Sequence, residues 1–184
     1  LRDELHIIED AAETESLAAS VSSNEGVYVV PAFTGLGAPH WDSTARGAIF
    51  GLTRNTGRAV LTRAAIEAVA YQTNDLVASL ISDGLSVDAI RVDGGMVANS
   101  WFLQFLSDIL EVRIDRPVII ESTARGAAFL AGLKAGIFSN TEQLEELWAH
   151  DRQFTPSMLA SERQALVSGW QAAVKATLFH ASLN

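Results

Sequence analysis

Cysteine is absent from this chain of 184 residues. Without thiols the protein can form no disulfide, use no thiolate nucleophile and build no cysteine-ligated zinc site. This composition is compatible with a reducing compartment, and we expect a cytoplasmic protein.

Basic residues are scarce, with 13 Lys and Arg against 22 Asp and Glu, which gives a net charge of −9. A protein that binds nucleic acid needs clustered cations to neutralise phosphates, so this balance argues against such a partner. No apolar run approaches the roughly 20 residues of a membrane span, so we expect no membrane insertion. The chain is 48% hydrophobic and 19% charged, which is typical of a globular protein.

The chain opens without an initiator methionine. Leu1 and the residues after it resemble the interior of an amphipathic helix rather than a secretory signal. This beginning predicts that the sequence is a piece of a longer protein.

Apolar periodicity predicts alternating strands and helices, and therefore an α/β layered fold in one domain, residues 1–184. Residues 27–31 and 47–52 read as strands that pair antiparallel, followed by a strand at 88–92 and an edge-like strand at 112–117, ended by Pro117. The predicted helices cover residues 1–23, 58–81, 99–110, 124–135, 141–145 with Thr141 as N-cap, and 156–179. We expect the small residues of 124–135 to pack closely against a sheet.

The most informative stretch is residues 91–100, where a short apolar strand ends at Asp93 and is followed by Gly94 and Gly95. Adjacent glycines let the chain turn sharply and let a ligand lie against bare backbone. The following helix offers free N–H groups that suit phosphate or polar ligand atoms, and Asn99 can cap that helix or reach the ligand. This pattern predicts a nucleotide site, although a plain strand-to-helix turn is the alternative.

A second glycine-rich run at residues 31–39 contains Gly35 and Gly37 and favours the functional interpretation. Asp42 and Asp93 could form an acid–base pair, but a loop cap at Asp42 and a turn at Asp93 are the favoured roles. Glu67 is expected to pair with Arg63 four residues earlier on its helix. Arg46 is expected in a surface salt bridge.

The long motifs resemble the C-terminal domain of the FGGY family of carbohydrate kinases, and in particular its glycerol kinases. The resemblance lies in residues 26–42, 45–54, 64–73, 91–99 and 124–132 and extends over nearly the whole chain. It implies a ribonuclease-H-like domain of the actin and hexokinase type, with a mixed sheet flanked by helices. It also implies ATP and Mg²⁺ as cofactors, and transfer of the γ-phosphoryl group to glycerol, which gives sn-glycerol 3-phosphate and ADP.

Residue by residue, the resemblance places Gly95 and Asn99 at nucleotide-contacting positions near the adenosine. Asp93 and Gly94 belong to the same motif, and Gly35 and Gly37 to a loop that faces the interdomain cleft. The family's general base and its main glycerol contacts belong to the N-terminal domain, so we expect no catalytic residue and no metal ligand in this chain. That domain is the implied partner, and the chain alone is expected to be inactive.

Two alternatives stay open at this stage. The substrate could be another polyol or sugar, such as xylulose or gluconate, or the chain could be a non-catalytic, actin-like nucleotide-binding module. We also expect self-association into a homo-oligomer through the apolar glycine-rich loop.

Overall fold

The computed structural model describes residues 1–183. It contains two sheets, which are formed by different segments of the chain. Strands β1 (Tyr28–Val30) and β2 (Ala48–Phe50) form an antiparallel pair, as expected, with Val29 opposite Ile49. The second sheet is mixed: β4 (Arg113–Pro117) lies between β3 (Ala89–Arg91), which is parallel to it, and β5 (His150–Phe154), which is antiparallel.

Six α-helices surround these sheets in residues 1–183. They are α1 (Glu13–Ala19), α2 (Arg58–Ser82), α3 (Ser100–Leu110), α4 (Ser122–Lys134), α5 (Glu142–Glu146) and α6 (Ala160–Ala181). None of the helices in this part of the chain is long and apolar enough to cross a membrane. The arrangement confirms the predicted mixed sheet flanked by helices.

The main core lies where α2, α3 and α6 meet the sheets. Trp170 of α6 stacks on Tyr71 of α2 with ring centroids 5.5 Å apart, and Phe105 of α3 meets Tyr71 edge-on at 5.7 Å. Leu103 and Ile114 are fully buried in the same cluster. This packing fixes the start of α3 relative to α2 and β4.

Helix α1 is much shorter than the helix predicted over residues 1–23. Its start is set by side chains, because Oε1 of Glu13 accepts hydrogen bonds from the backbone N–H groups of Glu9 and Asp10. His6 and Glu25 have positive φ angles of 51°, which interrupt a helix on both sides. The apolar spacing of this segment therefore reflects packing of separate turns rather than one helix.

Two further predictions about elements are wrong. The strand at 112–117 is central rather than at an edge, because β5, which we did not predict, covers its second side. Helix α4 does not bury its small residues against a sheet: only Gly132 is buried, beside Phe138. Thr141 is the N-cap residue of α5, as predicted, but its side chain accepts no capping hydrogen bond; Asn140 Oδ1 instead accepts from the N–H of Gln143 at 3.1 Å.

Candidate functional site

The turn after β3 is built on two glycines with different roles. Gly94 has φ 90° and ψ 169°, a region that side-chain-bearing residues rarely adopt. Its N–H donates to the carbonyl of Ile120 at 2.8 Å, which fixes the turn to the chain beyond β4. Gly95 then begins a short 3₁₀ turn, Gly95–Ala98, rather than the α-helix itself.

Gly95 faces open space. A Cβ atom built on Gly95 would meet no other heavy atom within 4 Å. The residue lines a cavity of about 570 Å³ between the 3₁₀ turn and the segment around α1. We call it the turn cavity; its walls are Ile8, Ala11, Ala12, Thr14, Ile66, Gly95, Met96, Ala98 and Asn99.

Two of the N–H groups at the N-terminus of α3, which the sequence suggested for phosphate or polar ligand atoms, are occupied by side chains. Oδ1 of Asn99 accepts from the N–H of Phe102 at 2.8 Å, so Asn99 is the N-cap. Oε1 of Glu15, from α1, accepts from the N–H of Ser100 at 3.2 Å. A carboxylate at this position repels a second anion, so the cavity beside it suits an uncharged polar group.

The buried amide of Asn99 also reaches α1. Its Nδ2 donates to Oγ1 of Thr14 at 3.2 Å, across 85 positions in the sequence. An amide has two N–H groups and two oxygen lone pairs. One of each is used by Thr14 and Phe102, so one donor and one acceptor remain at the wall of the cavity.

Arg116 of β4 supports the 3₁₀ turn from its other side. Its Nη1 donates to the carbonyls of Val97 and Ala98 at 3.2 and 3.3 Å, and to the hydroxyl of Ser100 at 3.1 Å. Its Nε pairs with Asp151 at 2.7 Å. Sequence reasoning missed Arg116, Thr14 and Glu15. The alternation of apolar and polar residues over 112–117 placed Arg116 on a strand but did not indicate which groups its side chain contacts.

Gly35 and Gly37 form a separate local turn and do not line the turn cavity. Gly35 has φ 106°, and a Cβ there would lie 2.6 Å from the carbonyl oxygen of Asp42. Leu36 and Asp42 exchange backbone hydrogen bonds at 2.7 and 3.0 Å, which close the loop. These contacts give Gly35 a structural role within its own loop.

The carboxylate of Asp42 caps that loop. It accepts hydrogen bonds from Thr44 and Ala45, and those from the hydroxyl and backbone of Thr44 are the main reason that its pKa is lowered. Asp93 is exposed, two residues after the end of β3. No described contact joins the two carboxylates, so the loop-cap interpretation of Asp42 is the one the geometry fits. Arg46 forms no described salt bridge; it donates to the carbonyls of Ser43, Thr44 and Ala45.

Of the six residues proposed for the nucleotide, the structure therefore brings Gly95 and Asn99 to the turn cavity. Gly94 shapes the turn, while Asp93, Gly35 and Gly37 lie outside the cavity walls. Among residues 1–183, no group of three or more His, Asp or Glu side chains is arranged to hold a metal ion.

Glu67 of α2 is a buried carboxylate outside the cavity, and its expected pairing with Arg63 is confirmed. Arg63 Nε contacts Oε1 at 2.7 Å, and Oε2 accepts from Asn24 at 2.8 Å and from the hydroxyl of Tyr71 at 3.0 Å. Burial raises the pKa of Glu67 above its usual range, and these three donors partly offset that rise.

Comparison with known proteins gives consistent matches. The model of the FGGY family of carbohydrate kinases, C-terminal domain, matches residues 1–135. A glycerol kinase of Coxiella burnetii is 58% identical over 178 residues, which cover 97% of this chain and 36% of that protein. This chain thus spans little more than a third of the length of such relatives.

Solved structures show the same fold. Glycerol kinase of Plasmodium falciparum, crystallised with ADP, superimposes with a TM-score of 0.82 at 39% identity, over 94% of this chain and 35% of that one. A ligand-bound xylulose kinase of Lactobacillus acidophilus gives a TM-score of 0.78 at 25% identity, over 95% and 36% of the two chains. The fold is therefore that of the actin and hexokinase type.

Proposed function

The chain belongs to the FGGY family of carbohydrate kinases, and on that premise we propose that it is the nucleotide-binding C-terminal part of a glycerol kinase. The observation that carries the proposal is the turn cavity, where Gly95 offers bare backbone beside the buried amide of Asn99. The Plasmodium falciparum relative was crystallised with ADP, which supports a nucleotide as the ligand.

The cavity fits the nucleoside end of ATP better than its phosphates. Its volume of about 570 Å³ lies within the usual range for small-molecule sites, about 300–1,000 Å³. The walls are mostly apolar, with Thr14 and Asn99 as polar groups. Since Glu15 places a carboxylate at the start of α3, the charged phosphates would lie away from it.

The complete kinase would transfer the γ-phosphoryl group of ATP to glycerol and release sn-glycerol 3-phosphate and ADP. Such a transfer needs charge neutralisation and positioning from both sides of a cleft. The N-terminal domain of the same kinase is the proposed partner and would supply the general base and glycerol contacts. Mg²⁺ would supply neutralisation of the phosphate charge in that reaction, and we assign it no ligand in this chain.

The substrate alternatives, xylulose and gluconate, receive less support. The glycerol kinase structure is 39% identical to this chain, and the xylulose and gluconate kinases of Lactobacillus acidophilus are each 25% identical. A non-catalytic nucleotide module would share the cavity but lack a base in its partner domain. We further propose that residues 1–184 act as one unit in the cytoplasm, where a kinase meets ATP.

A Gly95→Ala variant tests the proposed site. The added methyl group would point into open space, so we expect the thermal unfolding temperature to change little. Because that space is the proposed nucleoside site, ADP and adenosine should bind at least about tenfold more weakly, by analogy with the cost of overpacking a filled site. Amide NMR titrations that follow residues 94, 95 and 99 measure the binding.

The matched control is Gly126→Ala on α4, where a Cβ also meets nothing within 4 Å. We expect this control to bind both ligands as the unaltered chain does. Unchanged binding by Gly95→Ala would place the nucleotide elsewhere. If the unaltered chain is well folded and binds neither ADP nor adenosine, the turn cavity is not a nucleotide site in this chain.

A further inference from the structure

A second cavity is lined by α2 and α6 and shares no lining residue with the turn cavity. Pro39 and His40, from the loop at residues 31–42, also line it. We call it the helix cavity. Its volume of about 490 Å³ lies within the usual range for small-molecule sites, about 300–1,000 Å³.

Asp75 of α2 lines the helix cavity with one carboxylate oxygen unused. Its Oδ2 accepts from the indole N–H of the buried Trp170 at 2.7 Å, which fixes the carboxylate. Within residues 1–183, Oδ1 accepts no described hydrogen bond. Asp75 is half-buried, and this burial raises its pKa, opposed by the Trp170 hydrogen bond and the charge of His40. A hydrogen-bond donor is therefore the group that Oδ1 lacks.

The other polar side chains divide into donors on α6 and acceptors on α2. Gln171 and Lys175 of α6 line the cavity, and neither makes a described side-chain hydrogen bond or ion pair within residues 1–183. The hydroxyls of Ser79 and Ser82 donate to the carbonyls of Asp75 at 3.1 Å and Ser79 at 2.7 Å. Their single protons are thus used, and toward a ligand they can only accept.

The charges of the lining favour a neutral ligand over an ion. Of the described side chains that line the helix cavity, only Asp75 is anionic and only Lys175 is cationic, with His40 counted as neutral. An anion would meet the carboxylate and a cation the ammonium group. A polyol carries no charge, and each of its hydroxyls can both donate and accept. Its carbon chain suits the apolar part of the lining, Ala78 and Val174.

We propose that the helix cavity binds a small neutral polyol. One hydroxyl donates to Oδ1 of Asp75, and neighbouring hydroxyls accept from Gln171 and Lys175. This site goes beyond the proposed nucleotide function and does not rest on it, because the two cavities share no residue. Glycerol is the probe, since it is a small molecule with three adjacent hydroxyls.

The test is an NMR titration of the unaltered chain with glycerol that follows the indole N–H signal of Trp170. Because this N–H donates to Asp75, its chemical shift reports on a ligand at that carboxylate. We expect a saturable shift with a dissociation constant in the millimolar range, since so small a ligand buries little surface. Propan-1-ol, which has one hydroxyl, and inorganic phosphate should give no saturable shift.

Two substitutions remove the proposed contacts. Asp75→Asn keeps an oxygen for Trp170 but makes the second atom a donor, so glycerol should bind at least about tenfold more weakly. Gln171→Ala removes one neutral donor from the exposed side of α6 and should weaken binding by about fivefold. The control is Asp83→Asn, an exposed carboxylate at the C-cap of α2 outside the cavity lining, which should bind glycerol as the unaltered chain does.

Thermal unfolding shows whether each variant is folded. If Asp75→Asn does not fold, Gln171→Ala decides in the same titration. A Trp170 shift that rises linearly with glycerol, full affinity in a folded Asp75→Asn or in Gln171→Ala, or saturable binding of phosphate in place of glycerol would overturn the polyol site. A failure to bind ADP does not alter this titration, so the nucleotide proposal and the polyol proposal fail separately.

Discussion

At the scale of single residues, Glu67 shows how burial and pairing oppose each other. Its side chain is fully buried, yet it holds Arg63, Asn24 and Tyr71 within 3.0 Å. Removing the charge while keeping the shape, as in Glu67→Gln, brings an NH₂ group against donors that now point at carboxylate oxygens. We expect this substitution to lower the free energy of unfolding by about 1–3 kcal/mol at pH 5.

The cost of Glu67→Gln should shrink as pH rises. The folded-state pKa of Glu67 is raised, so its favourable contribution is complete below the pKa of the unfolded chain and is lost as pH rises through the folded value. Glutamine does not titrate, so position 67 of the variant adds no pH dependence to the free energy of unfolding over the same pH range. Urea unfolding at pH 5 and pH 8 measures both differences, and the exposed Glu146→Gln should change by less than about 0.5 kcal/mol at either pH. A cost that grew at pH 8 would contradict the raised pKa.

Residue-level prediction from sequence succeeded where a pattern is local. Asp93, Gly94 and Gly95 follow a strand within a few positions, so a turn with exposed backbone could be inferred from residue types alone. The partners of Asn99 could not, because Thr14 and Glu15 lie about 85 positions away and only the tertiary fold brings them to the start of α3. The same contacts occupy N–H groups at the start of α3 that the sequence suggested for a ligand.

At the scale of elements, β4 holds the 3₁₀ turn at Gly95–Ala98 through Arg116. Nη1 of Arg116 donates to two carbonyls of the turn and to the hydroxyl of Ser100 in α3, while its Nε pairs with Asp151 of β5. A lysine ammonium is a compact point donor and cannot serve both groups in this planar arrangement. We expect Arg116→Lys to cost about 1–2 kcal/mol of unfolding free energy, and to weaken adenosine binding by loosening the 3₁₀ turn.

Arg113→Lys on the same strand is the control for Arg116→Lys. The side chain of Arg113 is about half exposed, at 49%, and pairs with Asp115 at 3.2 Å, so its replacement should cost less than about 0.5 kcal/mol. Chemical denaturation and the NMR titration are run on both variants. Equal effects of the two substitutions would show that Arg116 does not support the turn.

Elements were predictable to the extent that their apolar pattern was complete within the element. Helix α2 was predicted over residues 58–81 and runs Arg58–Ser82, because its buried positions recur at helical spacing. Strand β5 was missed because four of its five residues are polar and exposed, and only Phe154 is buried. Small residues in α4 permit close packing but do not specify a partner, which is why the expected contact with a sheet was wrong.

At the scale of the whole molecule, the loop at residues 31–42 leaves large apolar side chains exposed to solvent. Phe33 and Trp41 are each 80% exposed. Exposed apolar patches of this kind commonly mark contact surfaces, so self-association through this loop remains our proposal. Sequence predicted the loop and its apolar character, but the exposure of both aromatic rings depends on how β1, β2 and α2 pack.

We expect the chain alone to have no kinase activity. This chain spans 36% of a glycerol kinase relative, and the general base and glycerol contacts are proposed for the N-terminal domain. Without them, ATP in the turn cavity has no positioned nucleophile, and phosphoryl transfer depends almost entirely on positioning. We therefore expect ADP release from ATP by the purified chain to be the same with and without glycerol, although ADP binds. A coupled ADP assay measures the rates, and sedimentation velocity on the same sample reports whether the chain self-associates. Glycerol-dependent ADP release that follows the protein through purification and disappears in Gly95→Ala would show that this chain alone contains a working catalytic centre.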